Sequence, residues 1–135
     1  MYLIEPNMAY TRIPVLLPPE GFTVAVEAIT SSFRLFGLLP GYSKNDLGSR
    51  LVLYPAHWTI KILTTQYYTY SDILQVDFEP ESFWRRELVV LKVAEASTSY
   101  YIKPSSAAVT QDLLAFCHKR GLLLTSAAQQ RVSVN

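Results

Sequence analysis

The residues of this chain that could do chemistry are few and scattered. His57 and His118 are its only histidines, and Cys117 is its only cysteine. Cys117 and His118 are neighbours, a pairing that could make a thiolate nucleophile and its base. Consecutive side chains on a helix diverge by about 100°, so these two do not face one another. Cys117 also falls on an apolar stripe, where a thiol behaves as a small hydrophobe. His57 alternates onto the polar side of a strand, and His118 suits the negative end of a helix. Ser71-Asp72 is no nucleophile elbow. The five glycines are dispersed rather than gathered into a phosphate-binding loop. Neither HExxH nor CxxC spacing assembles metal ligands. The sequence therefore predicts no enzyme, no metal and no cofactor, and a lone cysteine excludes an internal disulfide.

Residue types that bind are easier to find. The segment Glu79-Pro-Glu-Ser-Phe-Trp-Arg-Arg86 sets Phe83 and Trp84 beside Arg85 and Arg86 in a hairpin connection. Aromatics and arginine are enriched at the hot spots of protein interfaces. The competing expectation is that both rings fold back onto the sheet and the arginines are merely solvated. Tyr67 and Tyr68, with Tyr70, make a second aromatic group. Tyrosine also suits strands for its β-propensity alone. If both groups lie on one face, a protein-binding or self-association surface follows.

Charge narrows the partners. Twelve Lys and Arg against eleven Asp and Glu leave a formal net charge of +1, too little to steer the chain onto nucleic acid or an anionic membrane. Stacking of bases on the aromatics would want more cationic surface. No nucleic-acid partner is expected.

These residues must be positioned by short elements. Phe22, Val24, Val26 and Ala28 share one parity, which predicts a strand over Phe22 to Ala28. Phe33 to Leu39 is a second strand, and Pro40 to Ser49 is a loop dense in turn formers. Leu51 to Tyr54 is a short strand stopped by Pro55. His57 to Leu63 turns Trp58, Ile60 and Ile62 inward, and Ile73 to Phe78 turns Leu74, Val76 and Phe78 inward. Pro80 to Arg86 is a loop. Glu87 to Ala94 is apolar enough for a strand covered on both faces, and Tyr100 to Lys103 returns after a turn at Ser97 to Ser99. Val109, Leu113, Phe116 and Cys117 then form one stripe of a helix. Ser105 or Ser106 can cap its start, His118, Lys119 and Arg120 fill its last turn, and Gly121 suits the left-handed cap.

The flanks differ. Residues 1–21 hold Pro6, Pro14, Pro18 and Pro19, which argues for an extended arm anchored by Ile13, Val15, Leu16 and Leu17. Leu122 to Leu124 is expected to dock, and Ala127 to Asn135 to fray. One domain is expected over residues 22–124, with the arm before it and a tail over 125–135. Met1 to Tyr10 lacks a basic segment followed by an apolar one, so no secretory signal is read there. No apolar run approaches the roughly 20 residues of a membrane span. The expectation is a soluble, cytoplasmic protein without integral membrane association.

Antiparallel strands in meander order followed by one amphipathic helix resemble the pleckstrin-homology-like superfold, particularly its small bacterial members. The likeness is carried by Leu51-Val-Leu-Tyr54, Trp58-Thr-Ile-Lys-Ile62, Tyr70-Ser-Asp-Ile73, Glu87-Leu-Val-Val-Leu-Lys-Val93, Tyr100-Tyr-Ile102 and Phe116-Cys-His-Lys-Arg-Gly121. It covers roughly residues 33–121. It implies an α+β fold, a bent sheet or partly open barrel of about seven strands, with Val109, Leu113 and Phe116 plugging one end. Members that bind phosphoinositides carry a basic cluster in the first strand connection. Here Pro40 to Arg50 offers Lys44 and Arg50 diluted by Asp46, so phosphoinositide binding is disfavoured. The expected function is a non-catalytic module binding a protein partner or a second copy. The alternatives are a small-molecule or lipid-binding domain with an apolar pocket, and a subunit of a larger assembly, such as a phage particle or secretion apparatus, whose arm threads onto neighbours.

Overall fold

The alternating segments between residues 22 and 104 form nine strands in a computed structural model, which describes residues 12–35, 39–44, 48–95 and 98–133. In chain order they are β1 (Phe22–Val24), β2 (Val26–Leu35), β3 (Leu39–Lys44), β4 (Arg50–Leu53) and β5 (His57–Lys61). Then come β6 (Thr65–Thr69), β7 (Ile73–Glu79), β8 (Leu88–Val93) and β9 (Ser99–Pro104), followed by helices α1 (Ala107–Lys119) and α2 (Ser126–Ser133). The strands make two open antiparallel sheets, ordered β1-β4-β5-β6 and β3-β2-β9-β8-β7, rather than a closed barrel. The first eleven residues of the expected arm and parts of the expected 33–39 strand, of the 40–49 loop, of the 97–99 turn and of the tail lie outside the described residues.

The inward parity expected for β5 holds, with Trp58, Ile60 and Ile62 buried. They meet Ile29, Val76, Val89, Leu91, Val93 and Ile102 of the other sheet in one core. Helix α1 completes that core with Val109, Leu113, Leu114 and Cys117. Each such fully buried aliphatic side chain is worth about 1.5–3 kcal/mol. The Ser106 hydroxyl accepts from the Val109 N–H at 3.3 Å, and Gly121 ends the helix at φ +80°, the left-handed cap that glycine adopts without strain. Phe116 is only partly buried and packs edge-on against Tyr70, their centroids 5.8 Å apart. Arg120 covers the Tyr70 ring at 4.0 Å and donates to the Pro55 carbonyl at 2.6 Å. The helix thus locks onto the β4–β5 turn as well as onto the core.

Five expectations need correction. The strand over Phe22 to Ala28 is two strands: the chain leaves one sheet after Val24 and joins the other at Val26. The Ala25 carbonyl accepts from Ser105 at this bend. Within the expected strand over Phe33 to Leu39 and the expected loop over Pro40 to Ser49, the described residues are two paired strands, with Leu35 opposite Leu39 and Arg34 opposite Pro40, so Pro40 to Lys44 is strand rather than loop. Proline is tolerated there because β3 is an edge strand, where a missing donor need not break a ladder. Leu74 is not inward but half-exposed, because the β7–β8 register slips between Ile73 and Gln75 and buries Ile73 instead.

The fraying tail is the helix α2. It lacks a broad apolar stripe and is held by polar bonds. Thr125 Oγ1 accepts from the Ala128 N–H at 3.2 Å, while Arg131 bonds Glu87, Gln111 and the Ala107 carbonyl. Ala128 is fully buried beneath it. Finally, Ile13 and Leu17 anchor the arm, but Val15 and Leu16 do not: they are 92% and 86% exposed. The arm bends at Val15 and Leu16, so Ile13 and Leu17 dock on either side of the bend while the two residues at it face solvent.

Candidate functional site

The connection between β7 and β8 is built to display two rings. Ser82 and Arg85 pair across it, Ser82 N–H donating to the Arg85 carbonyl at 2.7 Å and Arg85 N–H to the Ser82 carbonyl at 3.4 Å. That closes a tight turn with Phe83 and Trp84 as its two central residues. Neither ring reaches the sheet: Phe83 is 95% exposed and Trp84 85% exposed. The two rings lean on each other at 5.8 Å and 59°. The alternative in which they fold back is thereby overturned.

The arginines are not idle either. Arg85 pairs with Glu79 at 3.5 Å and donates to the Arg86 carbonyl at 3.0 Å. Arg86 reaches Glu27 at 2.6 Å and the Ser105 carbonyl at 2.7 Å. Glu27 sits where the β2–β9 register shifts between Val26 and Ala28, and it also meets Lys103 at 3.5 Å. The two cations hold the base of the hairpin while the two aromatics occupy its apex. Glu79 and Glu81 balance Arg85 and Arg86, so the tip carries no net charge and presents an apolar contact on a braced stem.

The second aromatic group divides. Tyr68 is buried, stacked on Trp58 at 4.8 Å, and its hydroxyl bonds that of Tyr100 at 2.8 Å. The Trp58 indole N–H donates to the Thr69 carbonyl at 3.1 Å. Burial raises the Tyr68 and Tyr100 hydroxyls above the ordinary tyrosine range. Every polar atom of this trio has a partner, and Tyr68 is a core residue rather than a contact residue. Tyr67, on the opposite face of β6, is 72% exposed. It ends a ladder in which Tyr54 stacks on His57 at 4.4 Å and His57 lies 6.3 Å from Tyr67. The structure does not bring Tyr67 and the Phe83–Trp84 tip together; they belong to hairpins of different sheets.

Burial pushes the Cys117 thiol up to about 12, which leaves it protonated and unreactive near neutrality. No group of three or more metal-ligating side chains occurs among the described residues, and no helix among them is long and apolar enough to cross a membrane.

One feature was invisible in the sequence. The arm over residues 12–17 lies beside α1, with the Ile13 N–H donating to Asp112 Oδ2 at 2.6 Å. Between them runs an open groove of about 710 Å³, floored by Phe116 and flanked by Pro55, Lys119 and Arg120. The proline run announced an extended arm, but only a long-range bond such as Ile13–Asp112 could place it.

No family model, no curated protein and no solved structure matches the chain.

Proposed function

We propose that this chain is a non-catalytic interaction module that binds a protein partner through the Phe83–Trp84 tip. The observation that carries the reading is the pair of almost fully exposed rings on a hairpin whose stem is fixed by Arg85 and Arg86. Rings held ready in this way lose little conformational freedom on docking, which favours affinity. A neutral tip favours a protein surface over an anionic membrane, which would select free cations.

The finer reading of the fold is pleckstrin-homology-like, and the strand order supports it. If β1 and β2 are counted as one strand bent at Ala25, it pairs with β4 on one side and β9 on the other. From there β5 and β6 continue one sheet, and β8 and β7 the other. That makes a seven-stranded meander ending in α1, to which β3 and α2 are additions. Such a scaffold hosts many functions and selects none, so the weight rests on the tip.

A second reading draws on a different observation. Val15 and Leu16 are exposed on an arm whose Ile13 and Leu17 dock, which suits a subunit whose arm reaches a neighbour in a larger assembly. The apolar-pocket alternative has less behind it, since the apolar side chains between the sheets and α1 pack into one core and the groove beside α1 is open to solvent.

The test is a tagged Phe83→Ser/Trp84→Ser variant compared with the unaltered chain in cells that make it. Proteins held by the unaltered chain and lost by the variant, at equal melting temperature, support the tip. An identical set of retained proteins rejects it. Deleting residues 1–20 asks the same of the arm.

A further inference from the structure

The two sheets finish their edges differently. Beside β7 the chain returns on itself: Val76 N–H donates to the Leu123 carbonyl at 2.8 Å, and Thr125 N–H to the Val76 carbonyl at 3.0 Å. At the far side of the same sheet, β3 carries Pro40, Gly41 and Lys44, residue types that discourage further pairing. The outer edge of the other sheet is β6, and it has neither device. From Ile62 to Ser71 the sequence contains no charge, no proline and no glycine.

The backbone groups that β6 offers follow from the ladder. Tyr54 N–H donates to the His57 carbonyl at 2.8 Å, so His57 bonds toward β4. Alternation then turns Trp58 and Ile60 toward β6, and Thr59 and Lys61 toward β4. Opposite Thr59 and Lys61 stand Tyr67 and Thr65, whose N–H and C=O groups therefore point out of the sheet. Thr69 is the third such residue, but it is already engaged. Its N–H donates to Asp72 Oδ2 at 2.8 Å, and its carbonyl accepts from the Trp58 indole. Asp72 thus closes one end of the edge, and Thr65 and Tyr67 remain open.

We infer that β6 pairs antiparallel with β6 of a second copy of this chain, in the register that sets Thr65 opposite Tyr67. This register is self-complementary about Gln66. Each open residue meets the other open residue, so four main-chain hydrogen bonds form across the two-fold axis. A β-branched residue faces an aromatic one at both positions, a pairing that sheets favour. The two Gln66 amides meet at the axis; in the single chain Gln66 has only an exposed bond to the Thr64 hydroxyl at 3.2 Å. With no charge on the strand, no like charges are brought together. The two four-stranded sheets join into one of eight. The self-pairing uses none of the tip residues and stands or falls independently of the tip's partner.

The experiment is light scattering of the full chain over a range of concentrations. The unaltered chain is expected at twice its monomer mass. Tyr67→Pro removes an outward-facing N–H, which an edge strand tolerates, together with a ring that is 72% exposed, and Tyr67→Lys adds the charge the edge lacks. Both are expected to be monomeric where the unaltered chain is dimeric, with the same circular dichroism. Two further chains test the register, one carrying Thr65→Lys and Tyr67→Lys, the other Thr65→Glu and Tyr67→Glu. Each alone is expected to be monomeric, and their mixture dimeric. A monomeric unaltered chain at every concentration overturns the inference, including when β6 instead accepts an extended segment of another protein. So does a dimer that survives both Tyr67 variants, or a mixture that stays monomeric. If Phe83→Ser/Trp84→Ser dissolves the dimer and the Tyr67 variants do not, the second copy sits at the tip and the edge proposal fails alone.

Discussion

Two aromatic groups of similar composition end in opposite environments. Trp58, Tyr68 and Tyr100 pack at 4.8 to 6.4 Å between the sheets, each polar atom satisfied. Phe83 and Trp84 stand in solvent, touching mainly each other. The difference lies in what surrounds them rather than in the rings. The first group sits on strands whose alternation points inward. The second occupies the centre of a turn too tight to fold back, and its neighbouring arginines are tied to Glu79, Glu27 and the Ser105 carbonyl. Exposed aromatic area contributes nothing to folding, so its presence on a braced turn speaks for contact with something else.

The contrast breaks most sharply on substitution of its two tryptophans. Trp58→Ala is expected to cost about 3–5 kcal/mol in urea denaturation, whereas Trp84→Ala stays within about 0.5 kcal/mol of the unaltered chain. A comparable loss from both would mean that the tip is part of the core.

Alkali should act on the core side of the comparison, through Cys117 and the partly buried Tyr70. Burial pushes Cys117 from 9.0 to about 12, and pushes Tyr70 from 10.0 to about 12 although Arg120 beside it works against the rise. A folded-state pKa raised above the unfolded value means that the folded chain keeps its proton where the unfolded chain has lost it. The associated stability is whole below about pH 9 and falls between pH 9 and 12. Cys117→Ala should delay the start of that fall toward pH 10, as read from urea midpoints across the range.

Tyr68→Phe leaves the buried Tyr100 hydroxyl without its partner and should cost about 1 kcal/mol or somewhat more in the same assay. Arg86→Ala should cost less, roughly 0.5–1 kcal/mol, because its pair with Glu27 is nearly half exposed. Its larger effect should be on the tip: with both rings present but the stem loosened, partner capture should weaken while the melting temperature barely moves.

Much of this arrangement was legible in the sequence. Parity identified Trp58, Ile60 and Ile62 as inward, and the stripe Val109, Leu113, Phe116 and Cys117 identified α1, with Phe116 at its partly buried margin, because burial of one face imposes a period that a single segment reveals. What was missed depends on distant partners. Nothing local says that the chain changes sheets at Ala25, that Leu74 is bulged outward, or that α2 is held by Arg131 reaching Glu87, 44 residues away. Tyr67 and Tyr68 are adjacent and chemically alike, so only the face each occupies on β6 separates a surface residue from a core one. Phe83 and Trp84 were recognisable as candidates from type and place, but their exposure required the Ser82–Arg85 pairing that makes their turn tight.

The most direct measurement is photocrosslinking from the tip. A photoreactive phenylalanine analogue is introduced at position 84 of the full chain in cells that make it, with a control at Leu74, half-exposed on β7. A discrete protein adduct from position 84 that the Leu74 position does not give is the predicted result. No adduct at position 84, or the same adducts from both positions, would contradict the assignment of Phe83 and Trp84 as a contact surface.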